Sequence, residues 1–368
     1  MQNKKYFWPV LVVVAVALFG WWLMAPPDKM PDDPVKIGLV MPLSGELADL
    51  GENVRHGLDI AFEESGFSSE KIRLIYEDTG GFTPAAAVTS FTKITKQDHA
   101  DIIIGPLGPA QTLSVAPTLD TSGLAAAIAV STCDDRFTEY PILFCIYPGL
   151  REQVRHEVDF MKRMSWKNVY FFTEQSELGL QAETLLKEYA DEITIVGVEK
   201  VVSGTTKDFR TQIAKAVATK PDVVFAMFAA PEGAVMLRQY APLGKDIPLY
   251  IGTDVNNDGL RDIFGTEAPG VYFGALLSSE YDPAFIAKYE ERYGIEPDYL
   301  AALAHSSATL LFDLLKESDF RMEDIVTELV GRTGNTAVHS FRFNQDRSVS
   351  VPLLTYQFKD GKLAPYGE

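Results

Sequence analysis

With 368 residues, 46% hydrophobic and 23% charged, the chain is long enough for two packed domains and too apolar for wholesale disorder. A net charge of −18 argues against nucleic acid as a partner, because such a surface has nothing to neutralise a phosphate backbone. The five histidines include no close pair and none at ligand spacing from a cysteine, so neither a metal nor a cofactor is expected.

In chain order, Lys4 and Lys5 precede an uncharged apolar stretch from Tyr6 to Pro27, followed by an acidic segment to Asp33. The stretch has roughly the ~20 residues that span a bilayer, against ~7–15 for a signal-peptide core. Trp21 and Trp22 lie near its far end, where indole rings favour the interface. Basic residues before it and acidic ones after it place the bulk of the protein outside the cytoplasm. The expectation is one transmembrane helix, a single-pass anchor in the cell membrane. The alternative is a signal cleaved to leave a periplasmic protein; the Ala25-Pro26 junction suits cleavage poorly.

Beyond a proline-rich linker, strands and helices alternate. Val35–Met41, Ile72–Tyr76 and Ile102–Ile104 read as strands, and Val54–Glu64 and Thr83–Thr95 as helices. That rhythm predicts a parallel sheet with helices on both faces. Gly105 and Gly108 permit sharp turns, Pro109 suits the start of a helix, and a strand around Leu124–Ala129 ends in Ser131 and Thr132. Two strand ends side by side at the carboxyl edge of an open α/β sheet make half of a ligand site. The pattern then restarts: helix 151–164, strand 168–173, strand 193–202, helix 208–218, a strand from Asp222, and a strand 249–252 ending in Thr253-Asp254. Helices follow at 281–293, 299–316 and 322–330, then β alternation with a turn at Asp360-Gly361. Cys133 and Cys145, a dozen positions apart in an exported chain, form either a short-loop disulfide or two free thiols.

Val35-Lys-Ile-Gly-Leu-Val-Met-Pro-Leu-Ser-Gly, Tyr76-Glu-Asp, Ile104-Gly-Pro-Leu, Asp208-Phe, Pro221-Asp-Val-Val and Tyr281-Asp-Pro-Ala-Phe occur in this order. Together they resemble a type I periplasmic binding protein of the leucine/isoleucine/valine-binding family, over about residues 35–361. The resemblance implies two Rossmann-like α/β lobes with parallel sheets, joined by three crossings around a ligand cleft that closes like a hinge. The lobes expected are 35–149 with about 278–350, and 150–277 with about 351–368, after an anchor and linker over 1–34.

The resemblance also implies site residues. In amino-acid binders the loop matching Gly108–Thr112 grips the ligand carboxylate; here Pro109 replaces its serine, leaving Ala110 and Gln111. Thr132, beside Ser131, matches a threonine that meets the carboxylate, and Val130 a residue whose carbonyl accepts from the ammonium. Asp254 matches an acidic residue that pairs with the ammonium. Leu178 and Ala229 stand where aromatic rings often cover the ligand, and His305 where tyrosine is frequent. From the residues alone Thr132 also reads as a turn residue, Asp254 as a loop cap and His305 as packed core. The Asp254–Gly259 pattern resembles a calcium loop but has Gly265 in place of the closing glutamate.

The function implied is an extracytoplasmic solute-binding protein that captures an amino acid or related small carboxylated solute for an ABC permease complex in the inner membrane. The alternative is a membrane-anchored sensor or regulatory subunit of the same fold. A glycosyltransferase-like enzyme fits less well. The Gly105–Thr112 loop carries no Lys or Arg, and Glu46, Asp78 and Glu174 have no partner base by spacing.

Overall fold

The structure is a computed structural model that describes residues 33–45, 47–189, 191–202, 206–227, 230–244, 246–252, 263–275 and 281–367. The apolar run expected as an anchor lies outside the described residues. Among the described residues no helix is long and apolar enough to cross a membrane.

Five strands form the first sheet: β1 (Val35–Met41), β2 (Ile72–Asp78), β3 (Ile102–Leu107), β4 (Ala126–Thr132) and β5 (Leu143–Tyr147). Their order is β2-β1-β3-β4-β5, all parallel. Parallel pairing requires a crossover at each step. Helices α1 (Ala48–Ser65), α2 (Pro84–Lys96) and α3 (Pro109–Val115) supply crossovers in this sheet. Every residue of β3 is buried, as an apolar run covered on both faces should be. Each such isoleucine contributes about 1.5–3 kcal/mol of transfer free energy.

The second sheet holds β6 (Asn168–Glu174), β7 (Thr194–Val201), β8 (Val223–Met227), β9 (Leu249–Ile251), β10 (Val271–Ala275), β13 (Leu354–Lys359) and β14 (Lys362–Pro365). The order is β14-β13-β10-β9-β8-β6-β7. β6 to β10 run parallel, while β13 and β14 add an antiparallel hairpin at one edge. Asp360 and Gly361 both take positive φ at its turn, the left-handed pair a two-residue hairpin needs. Helices α4 (Leu150–Arg163), α5 (Glu177–Glu188), α6 (Arg210–Ala218) and α7 (Ala230–Leu243) accompany this sheet.

Helices α8 (Pro283–Tyr293), α9 (Tyr299–Glu317) and α10 (Ile325–Leu329) return to the first sheet, as does the small ribbon of β11 (Arg342–Phe343) and β12 (Val349–Ser350). One apolar cluster joins Ile37, Ile104 and Ile128 to Phe285, Leu303 and Phe343. Separate clusters line the two faces of the second sheet. The chain therefore passes between the sheets three times: after Tyr147, between Ala275 and Tyr281, and between Ser350 and Leu354.

Several boundaries differ from the sequence reading. β3 runs through Gly105 and Pro106 to Leu107 rather than turning at Gly105. The first helix begins six residues before Val54, at Ala48. Strands β5 and β10 carry too short a pattern to be read from sequence.

Candidate functional site

The carboxyl edge of the first sheet brings three predicted residues together at the end of β4. Val130 and Ser131 are buried and Thr132 is half-buried. The Val130 carbonyl accepts from Gly108 N–H at 2.9 Å, which ties the loop after β3 to the end of β4. The Ser131 hydroxyl donates to the Thr132 carbonyl at 2.9 Å. Thr132 stands opposite Tyr147 at the end of β5, and Cys133 N–H donates to the Tyr147 carbonyl at 3.0 Å.

In the neighbouring loop Gly108 has φ +88° and precedes Pro109, the first residue of α3. Ala110 is exposed, and Gln111 is buried. Thr112 closes the turn by donating from its hydroxyl to the Gly108 carbonyl at 2.8 Å. A side chain on Gly108 would meet both Gln111 Oε1 and the Phe82 ring, each 2.8 Å from the Cβ position. Phe82, 46% exposed in the loop after β2, is thus an aromatic surface at this edge that sequence reading passed over. Its only signal was position, behind Gly80-Gly81 at a strand end.

Cys133 and Cys145 form a disulfide with Cα atoms 5.4 Å apart. The bond clamps the segment following Thr132 to β5. Beside it, a cavity of about 460 Å³ runs between the loop after β4 and helix α5, lined by Cys133, Asp134, Arg136, Arg151, Gln181 and Glu188. Its cations are already paired, Arg136 with Asp134 at 2.6 Å and Arg151 with Glu188 at 2.5 Å. The hydrogen bond from Arg136 holds the Asp134 carboxyl below the usual range.

Glu174 ends β6, is buried, and accepts from the Ser176 hydroxyl at 2.8 Å. Ser176 in turn caps α5 by accepting from Gly179 N–H at 3.1 Å. Asp78 likewise serves its own loop, accepting from the N–H groups of Leu43 and Gly80 at 2.8 Å each. Leu178 falls in the first turn of α5, but its side chain is outside the described part. Ala229, Asp254 with the calcium-like segment after it, and Glu46 lie outside the described residues.

His305 stands apart from the others. Its Nε2 is 2.7 Å from Glu64 Oε2, its ring packs 4.7 Å from that of Phe285, and it is 4% exposed. Helices α1 and α9 run side by side, with Asn53 Nδ2 donating to Asp298 near their starts at 2.7 Å. Since α1 begins at the carboxyl end of β1, Glu64 in its last turn lies about 24 Å along the helix from that edge. The hydrogen bond with His305 lowers the Glu64 carboxyl from its ordinary value. These contacts pack His305 between two helices.

Comparison with known proteins follows the same architecture. The family described as "Periplasmic binding protein" matches residues 34–362. The chain is 25% identical over 259 residues to the Leu/Ile/Val-binding protein BraC3 of Rhizobium johnstonii, covering 67% of this chain and 68% of that protein. It is 23% identical over 354 residues to the leucine-, isoleucine-, valine-, threonine-, and alanine-binding protein of Pseudomonas aeruginosa, covering 91% of each. Among solved structures, a leucine binding protein from Thermotoga maritima shares the fold with a TM-score of 0.75 at 22% identity, over 90% of this chain and 98% of that one. A solute binding protein from R. palustris in complex with benzoate does so with a TM-score of 0.78 at 20% identity, over 91% and 96%. With its two α/β sheets built on parallel strands and a match over nearly its whole described length, the chain belongs to the periplasmic binding protein family.

Proposed function

We propose that this chain is the extracytoplasmic solute-binding component of an ATP-driven importer, capturing an amino acid or related small carboxylated solute between two lobes. The lobes are residues 35–149 with about 278–350, and 150–277 with about 351–368. The observation that carries the reading is the end of β4, where Thr132 stands half-buried between the tied Gly108 loop and the disulfide. Relatives named for leucine, isoleucine and valine, and a fold neighbour holding benzoate, support a carboxylate as the shared ligand feature.

In this reading Thr132 meets the carboxylate and Asp254 pairs with a cationic group, since a buried cation needs a counter-charge. Pro109 offers neither hydroxyl nor N–H, so one hydrogen bond to a charged group is lost, about 1.5–3 kcal/mol. That weakens amino-acid binding by about tenfold to a hundredfold unless Gln111 replaces it. The apolar run near residue 20 tethers the protein to the membrane beside its permease.

Calorimetric titration with amino acids and simple carboxylates tests this. Asp254→Asn should abolish binding of an amine-bearing solute. Unchanged affinity in that variant would remove the ammonium-pairing role.

A further inference from the structure

Glu157 is used by nothing described so far. It lies on α4, is 3% exposed, and its Oε2 has no hydrogen-bond partner among the described residues. Its neighbours on the helix, Val154, Val158 and Met161, belong to an apolar cluster where an aliphatic side chain would pack without penalty. Leaving a buried carboxyl oxygen unpartnered costs on the order of 1–3 kcal/mol. A cost of that kind, kept at a ligand edge, points to function.

The carboxyl sits at that edge. A side chain on Gly252 would collide with Glu157 Oε1 and come within 3.3 Å of Met227 Cε. Met227 ends β8 and Gly252 directly follows β9, so Glu157 lies beneath the carboxyl ends of two central strands of the second sheet. It also lines a cavity of about 20 Å³ together with Tyr147, Gln153, His156, Gly274 and Leu354. Tyr147 ends β5 of the first sheet and Leu354 opens β13 of the second, so the cavity lies where the chain passes between the sheets.

We propose that Glu157 is a second amine-reading carboxyl of the cleft, reached past Gly252. The inference rests on the amine-bearing solute proposed above. Burial pushes the carboxyl well above the ordinary carboxylate range, with no charged group among the described residues contributing. In the ligand-free protein burial therefore favours its neutral acid form over the carboxylate. When an ammonium arrives, the O–H bond of the carboxyl breaks, its proton leaves to solvent, and the resulting carboxylate pairs with the cation. The titratable groups facing it are Tyr250 from β9, Tyr147 from β5 and His156 from its own helix. The Tyr250 hydroxyl lies 3.3 Å from Thr355 Oγ1 and is raised far above neutrality by burial. His156 Nε2 lies 3.2 Å from the same hydroxyl oxygen, and burial and Arg163 hold the imidazole at about 4. Neither of these two changes charge between pH 6 and 8.

The test uses the full chain with L-leucine and L-phenylalanine as probes, each beside its deaminated acid. Calorimetry from pH 6 to 8, in two buffers of different ionisation heat, reads affinity and proton release together. The parent should release up to one proton on binding an amino acid, and affinity should tighten with pH by up to about tenfold per unit. Glu157→Gln should lose the proton release and bind the amino acid at least about tenfold more weakly at pH 8, with the deaminated acid unaffected. Gly252→Ala, which presses a methyl against Glu157 Oε1, should weaken the amino acid selectively even if the first variant folds poorly. Proton release and affinity unchanged in Glu157→Gln would overturn this proposal alone. A parent that binds the deaminated acids but neither amino acid would overturn the amine reading above and this inference with it.

Discussion

A buried carboxyl and a half-buried imidazole, one residue apart on α4, respond to pH with opposite signs. Glu157 is raised in the folded state, so the folded chain binds the extra proton and stability falls as pH rises above the unfolded value near 4.5. Glu157→Gln should therefore raise the melting temperature at pH 8, with the gain shrinking toward pH 4.5. A gain independent of pH would contradict the assignment. His156 is lowered to about 4, so the unfolded chain binds the extra proton and stability is lost as pH falls from about 6.5 toward 4. His305→Leu should lower stability by about 1–3 kcal/mol through the lost Glu64 hydrogen bond, while ligand affinity stays constant; a change in affinity would return His305 to the site. The strand end at Ser131 and Thr132 and the helix start before Gln111 were legible because strand ends and turn residues leave a local signature. Glu157 and Phe82 were not. What distinguishes them is burial without a partner and exposure beside Gly108, and both depend on residues far away in sequence.

Among the elements, the disulfide joins the loop after β4 to β5 across a sequence separation of 12. A loop of that length predicts about 2–4 kcal/mol of stabilisation, so a Cys133→Ser, Cys145→Ser double variant should show that loss in chemical denaturation. A loss below ~0.5 kcal/mol would mean that the bond constrains little. The helices read at 83–95, 281–293 and 299–316 were legible because amphipathic spacing and caps are local, Thr83, Asp282 and Asp298 each accepting from an N–H in the first turn of their helix, whereas α5 and α7 were not read. β5 and β10 were missed because five apolar residues without alternation do not distinguish a strand from any other buried segment. The parallel sheet itself was legible from the alternation of strand and helix; its order was not, since pairing is set by packing rather than by sequence neighbours.

For the whole molecule, two sheets with separate apolar cores and three passages between them are the framework on which a cleft can open and close. A chain beginning at residue 33 should melt cooperatively without the preceding apolar run; insoluble protein with no transition would contradict this. The central claim is that the cleft takes a small carboxylated solute, and it is tested most directly by calorimetric titration of the full chain against a panel of amino acids and carboxylates. The account predicts one-to-one binding of at least one member, weakened by Thr132→Ala while the melting transition is retained. A panel in which nothing binds, or a ligand that binds Thr132→Ala as tightly as the parent, would contradict it.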